Sequence, residues 1–198
     1  FNAAKAVVEF TGVNVHPGSS KNTMVNAALV AIEFNSMLPS ADTPRDTEEY
    51  EGFFHLDAMN GNVSTAMLDY IIRDHDVASF DCRLKTMEHI AKILNEKWGE
   101  GTVKLTITEQ YRNMKEIIDT CMELIDCATA ACKECGTPAL ITPIRGGTDG
   151  ARLSFMGVPC PNLGTGGHAF HGPYEHITVE GMDIAVEVGL KIIELFYK

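Results

Sequence analysis

No stretch of this sequence approaches the ~20 consecutive apolar residues that cross a bilayer, so no membrane span is expected. Positive charge is scarce. Sixteen Lys and Arg stand against 27 Asp and Glu, a formal net charge of −11. A general nucleic-acid binder, or a protein that docks on anionic lipid, needs a dense basic face, so neither partner is expected. No basic stretch followed by an apolar one opens the chain, so no secretory leader is expected. Six cysteines do not make a disulfide framework: five lie between Cys121 and Cys160, and Cys82 stands apart. Reduced thiols in a cytoplasm are the expectation. Repeats and low-complexity segments are lacking as well. The chain opens at Phe1 rather than Met, which raises the expectation of a longer parent.

What is present is a globular composition. Of 198 residues, 45% are hydrophobic and 22% charged, enough to bury a core in one large domain or two small ones. Ala6 to Thr11 is a Val- and Phe-rich strand, followed by the turn residues Thr11-Gly12 and His16-Pro17-Gly18. Ser19 or Ser20 is a candidate cap for a helix through Met37, stopped by Pro39. Met24, Val25, Ala28, Leu29 and Ile32 form its apolar face. Residues 40–51 read as an acidic loop. Strands follow at 52–59 and 63–73, with Asn60-Gly61 as a hairpin signal between them. A second helix runs from Ser79 to Trp98, with Phe80, Leu84, Met87, Ala91 and Leu94 on one stripe. Val103, Leu105 and Ile107 then alternate with polar residues as a half-buried strand.

This β-α-β-β-α-β order over residues 1–111 predicts a ferredoxin-like α+β domain, two helices on one face of an antiparallel sheet. The rest, 112–198, reads as an incomplete α/β segment. It has a helix from Met114 to Cys135, a buried strand at 139–144, a Gly-rich turn capped by Asp149, and a short helix at 151–156. A further strand at 158–162 and a closing helix at 180–197 follow, with Ile184, Val188, Ile192 and Leu195 inward. Two strands and three helices do not bury one another, so the sheet they belong to is expected to lie mostly outside this chain.

Several clusters carry chemistry. His16 follows a strand on a turn, and by itself reads as a surface histidine. Arg73 closes the third strand in Arg73-Asp74-His75-Asp76. It is either a solvated strand end or a planar fork for a carboxylate. Arg145-Gly146-Gly147-Thr148-Asp149-Gly150 is no P-loop and no dinucleotide fingerprint. Its glycines and the following helix favour an anion over a plain tight turn. His168, His171 and His176 fall within nine residues, but Pro173 lies between the last two, so a contiguous three-histidine metal site is not expected. One of them is a candidate single ligand of a site completed elsewhere. Cys132 and Cys135 form a lone CxxC, and the better reading is buried thiols. His55, Asp57, Glu48 and Glu49 read as structural.

The strings "NVHPG", "YIIRDHD", "PIRGGTDGARLSFMGVPCPN" and "TGGHAFHG" together resemble the peptidase T family, bacterial tripeptide aminopeptidases within the co-catalytic zinc exopeptidases. The resemblance covers essentially the whole chain. It implies that residues 1–111 are a lid that mediates homodimerisation and that 112–198 are the C-terminal segment of the zinc domain. It implies that His171 is a zinc ligand and that His16 steadies the oxyanion in the partner subunit's site. It implies that Arg73 and Arg145 hold the carboxylate end of a tripeptide, with Gly146 and Gly147 admitting it close to the backbone. Gly164 and Ala169 differ from the usual residues around the metal histidine. The remaining ligands of the co-catalytic zinc pair and the general base are absent here. The parent is therefore expected to be a metallo-aminopeptidase, and this chain alone to be inactive. A non-catalytic dimerisation fragment and a truncated homologue with a binding role are the alternatives.

Overall fold

The computed structural model describes residues 1–197. These divide into two compact units. The first comprises Phe1–Asn113 and Pro143–Gly147; the second comprises Met114–Thr142 and the chain from Thr148 onward.

The first unit is an α+β sandwich with the expected element order. Strands β1 (Asn2–Thr11), β2 (Phe53–Gly61), β3 (Thr65–Asp74) and β4 (Val103–Tyr111) form one antiparallel sheet in the order β2-β3-β1-β4. Helices α1 (Ala27–Met37) and α2 (Val77–Trp98) connect β1 to β2 and β3 to β4. Strand alternation decides which face they cover. Ala4, Ala6, Val8 and Phe10 of β1 and Ala66, Leu68, Tyr70 and Ile72 of β3 point into one core with Phe34, Phe80, Met87 and Leu94. The opposite face carries ion pairs in water, Lys5 to Asp69 (2.7 Å) and Lys104 to Glu9 (2.8 Å). Tyr70 keeps its hydroxyl satisfied by donating to Asn35 Oδ1 (2.9 Å).

Local capping corrects several sequence boundaries. Helix α1 starts at Ala27, not at Ser19 or Ser20. Val13 and Val25 first pair as a bridge, and the Asn26 carboxamide then accepts from the amides of Ala28 and Leu29. The buried face of α1 is Ala27, Val30, Ala31 and Phe34, whereas Leu29 and Ile32 stand 61% and 52% exposed. The hairpin turn lies at 62–64, because the Asn62 side chain accepts from the amides of Ser64 and Thr65. Asn60 and Gly61 instead pair with Met67 and Ala66. Asp76 caps α2 by accepting from the Ser79 amide (2.7 Å).

The second unit contains α3 (Lys115–Ile118), α4 (Glu123–Glu134), α5 (Asp149–Phe155), a minimal hairpin β5 (Gly167–His168) and β6 (His176–Ile177), and α6 (Val179–Tyr197). The helix expected from 114 to 135 is broken. Thr120 Oγ1 and Cys121 Sγ both donate to the Ile117 carbonyl and compete with the helical ladder there. Thr148, not Asp149, caps α5. The strands expected at 139–144 and 158–162 do not form. A strand needs a partner for its ladder, none of the described residues pairs with these, and Leu140 and Ile141 stay 80% and 74% exposed. On α6, Val188 is buried and Ile192 and Leu195 are half-buried, but Ile184 is 40% exposed.

Candidate functional site

Arg73, Arg145 and Gly147 meet at one end of the first unit's sheet. Arg73 is the last basic residue of β3, opposite Ala3 on β1 and Phe53 on β2. Its guanidinium donates to the Ile72 carbonyl and to Gln110 Oε1 (both 3.1 Å), and lies 5.1 Å from the ring centre of Tyr111. Burial pulls its pKa below the ordinary arginine value. Arg145 packs over Phe1 and Phe53, 5.4 and 5.5 Å from their ring centres. Its fork donates to the carbonyls of Thr47 (3.2 Å), Glu49 (3.0 Å) and Glu51 (2.7 Å) and to Thr47 Oγ1 (2.8 Å). The close neighbour at Gly147 is Tyr111: a Cβ there would sit 2.9 Å from its ring, whereas Gly146 faces open space.

Three residues that the sequence did not single out complete this end. Tyr111 buries a hydroxyl without a hydrogen-bond partner among the described residues. Burial raises its pKa. The ring of His75 lies between Phe1 (4.1 Å) and Tyr50 (5.3 Å), with Nε2 buried and without a hydrogen-bond partner among the described residues. Burial above all pushes its pKa down to about 4. Arg83 donates to Asp74 (2.8 Å) and Asp42 (2.5 Å), which ties the loop before β2 to the end of β3. No motif announced Arg83; it lies mid-helix among charged neighbours.

His16 lies beyond the other end of β1. Ala3, opposite Arg73, and Thr11 are eight strand steps apart, roughly 26 Å at 3.3 Å per residue. Val13 is in turn bridged to Val25. His16 and Arg73 of one chain therefore face different places. The imidazole is exposed, and its Nδ1 accepts from the Gly18 amide (3.1 Å) in a 3-10 turn over Pro17–Ser19.

The second unit holds His171. It sits in the β5–β6 connection with φ +62°, exposed, its amide donating to Glu175 Oε2 (3.0 Å). The hairpin register sets His168 opposite His176, with ring centres 5.2 Å apart. His176 Nδ1 is 2.8 Å from the Tyr174 carbonyl. The turn folds His168 and His176 together and leaves His171 in the connection between the strands, so the three histidines do not gather into one group. Zinc needs three or four protein donors. Among the described residues no group of three or more His, Cys, Asp or Glu is placed to hold a metal ion. The described residues by themselves do not fit a zinc ion. His55 and Asp57 form only an exposed contact at 3.9 Å, and all six cysteines are free thiols.

Comparison with known proteins gives a consistent picture. Residues 1–102 match the family model of the M20 peptidase dimerisation domain. Peptidase T of Clostridium perfringens is 54% identical over 99% of this chain and 48% of its own length. Peptidase T of Alkaliphilus oremlandii is 51% identical over the whole chain and 48% of its own length. The chain thus spans about half the length of the curated relatives it matches. The crystal structure of a tripeptidase from Staphylococcus aureus superposes with a TM-score of 0.80 at 19% identity, over 98% of this chain and 51% of its own. Aminopeptidase PepT from Bacillus cereus superposes equally well, 0.80 at 18% identity, over the whole chain and 52% of its own. Through its peptidase dimerisation domain, the chain belongs to the M20 peptidase family.

Proposed function

We propose that the whole protein is a zinc-dependent aminopeptidase that releases the N-terminal residue of tripeptides, and that residues 1–111 are its lid and dimerisation domain. Residues 112–198 are read as the C-terminal segment of its catalytic domain. The single observation that carries the proposal is the separation of His16 from Arg73 along β1, roughly 26 Å of strand between their ends. Two such groups serve one short substrate only if they come from different subunits. A two-fold dimer that places the partner's His16 beside a subunit's own Arg73 meets that requirement.

In this reading Arg73 and Arg145 bind the tripeptide carboxylate, and the length of substrate accepted follows from that grip. Arg145 is held by the carbonyls of residues 47–51, so binding exchanges neutral acceptors for a charged one. Gly146 offers open backbone for the peptide. His16 donates to the oxyanion where negative charge develops. His171 supplies one zinc donor, and the others come from outside these residues. The surface proposed for the homodimer is the outer face of α1, where Leu29 and Ile32 are exposed, with the unpaired edge of β2. Free thiols suit a cytoplasmic location.

Mixed dimers of the full-length enzyme test the arrangement. His16→Ala is expected to lower kcat by about 10²–10³, and Arg73→Ala to raise KM strongly. Subunits carrying one substitution each, mixed, rebuild one intact site per mixed dimer and recover about a quarter of wild-type activity. No recovery on mixing would sink the shared-site reading. The chain alone is expected not to hydrolyse a tripeptide with added zinc; chelator-sensitive turnover would overturn the ligand assignment.

A second reading concerns this chain by itself, as a non-catalytic dimerisation module. The match of residues 1–102 to a dimerisation domain favours it. Sedimentation of the purified chain is expected to give a dimer without stoichiometric zinc, and a monomer at micromolar concentration would count against it.

A further inference from the structure

We infer that the backbone amide of Gly18 fixes the tautomer of His16, so that the imidazole leaves its turn as an Nε2–H donor. The inference deepens the role proposed above for His16 and rests on it for its catalytic consequence alone. The turn is built from three consecutive residues. His16 is the cap, Pro17 opens the 3-10 helix, and the Gly18 amide donates to Nδ1 at 3.1 Å. An amide has a proton to give and no lone pair to accept with. Nδ1 must therefore present its lone pair, and in the neutral ring the proton resides on Nε2.

The sequence around the ring enforces this geometry. Pro17 has no N–H, so Gly18 is the first amide able to reach back to the ring. Pro17 also has its φ preset for the first helical position. Gly18 leaves the ring room. A Cβ there would lie 3.1 Å from His16 Cε1 and 3.2 Å from Nδ1, so a side chain crowds the ring and shifts it by a few tenths of an ångström against the amide. The far side of the turn is closed independently: the His16 carbonyl accepts from the Ser19 amide (3.0 Å), and Ser20 Oγ donates to the Pro17 carbonyl (2.9 Å). The ring is thus held by its own backbone, exposed, with no hydrogen-bond partner for Nε2 among the described residues.

The consequence is chemical. A group that meets a developing oxyanion must bring a proton, because a lone pair at the same place would repel the charge. The same locked ring, delivered by one subunit to another, arrives already oriented and loses little freedom on assembly. Gly18 is accordingly a positioning residue that acts through His16 and need not touch the substrate.

Nitrogen-15 spectra of the histidine rings, recorded on the purified chain in alkaline buffer, test the assignment. His16→Asn identifies the signal. An unrestrained neutral imidazole exchanges between both tautomers; His16 is expected to show Nε2–H alone, with Nδ1 as a hydrogen-bonded acceptor. Gly18→Ala is expected to restore exchange between the two forms. A wild-type ring carrying its proton on Nδ1, a mixture of forms in the wild type, or a Gly18→Ala spectrum identical to wild type would each overturn the inference. In the full-length enzyme Gly18→Ala is expected to lower kcat about tenfold to a hundredfold at unchanged KM. If His16→Asn leaves kcat intact while the spectra behave as expected, the oxyanion role fails and the tautomer assignment stands.

Discussion

The first unit closes over its own core, with Val8, Leu68, Ile72, Phe34 and Phe80 all removed from water. The second unit is as rich in apolar residues but keeps them outside. Leu140, Ile141, Met156, Val186 and Ile193 are between 62% and 80% exposed, and among its hydrophobic side chains Ile118, Ala131, Ala151 and Val188 are buried. Both sequences carry regular apolar patterns. They differ in whether the partner surface lies within the described chain. A β-α-β-β-α-β unit supplies both layers of its sandwich, the sheet and the helices that cover it. Helices and lone would-be strands without a sheet supply one layer only. A stretch that reads as a buried strand is a statement about neighbours as much as about itself.

Hydrogen exchange on the intact chain should expose the contrast most strongly. Amides of β1 and β3 are expected to exchange at least about a thousandfold more slowly than those of α4 and α6. Equal protection in both units would erase the distinction. Denaturation followed by the single Trp, Trp98 on α2, reads the first unit alone. Phe34→Ala, at a fully buried position, is expected to lower its stability by about 3–5 kcal/mol. Val188→Ala on α6 is expected to leave the Trp98 transition where it is; a shift of comparable size would show that the units share one cooperative core. Arg83→Ala strands the Asp74 carboxylate, whose side chain is 5% exposed, at a cost of about 3 kcal/mol in the same assay.

A smaller effect concerns pH. The folded pKa of His75 is depressed to about 4 against an ordinary 6.5. Between these values the unfolded chain takes up a proton that the folded chain refuses. Stability of the first unit is therefore expected to fall as the pH drops from about 6.5 to about 4. His75→Leu should flatten that slope; an unaltered slope would assign it to other groups. Smallest of all, Lys5→Ala removes one exposed ion pair on the open face and should change stability by less than about 1 kcal/mol.

The element order of the first unit was legible because its strands alternate and its helices end at short-range stops, Pro39 after the first and Gly99 after the second. The errors share a cause. Leu29 and Ile32 fit a helical stripe as well as Val30 and Phe34 do, and only the position of the sheet decides which stripe is inside. The turn at 62–64 won over Asn60-Gly61 because Asn62 closes it with its own side chain. At the candidate site, motifs pointed to His16, Arg73, Arg145, Gly146, Gly147 and His171. They did not reveal that residues 143–147 join the first unit, that Tyr111 fills the space above Gly147, or that His75 and Arg83 stand nearby.

The sequence by itself determined the composition, the order of the first four strands and two helices, and the local turn that grips His16. All of these depend on residues a few positions apart. Tertiary structure alone decided which helix face is buried, that Arg145 spends its fork on carbonyls nearly a hundred residues away, and that His16 and Arg73 lie at opposite ends of one sheet. Those outcomes rest on contacts between distant segments. Their energies depend on register and packing, which no short window of sequence contains.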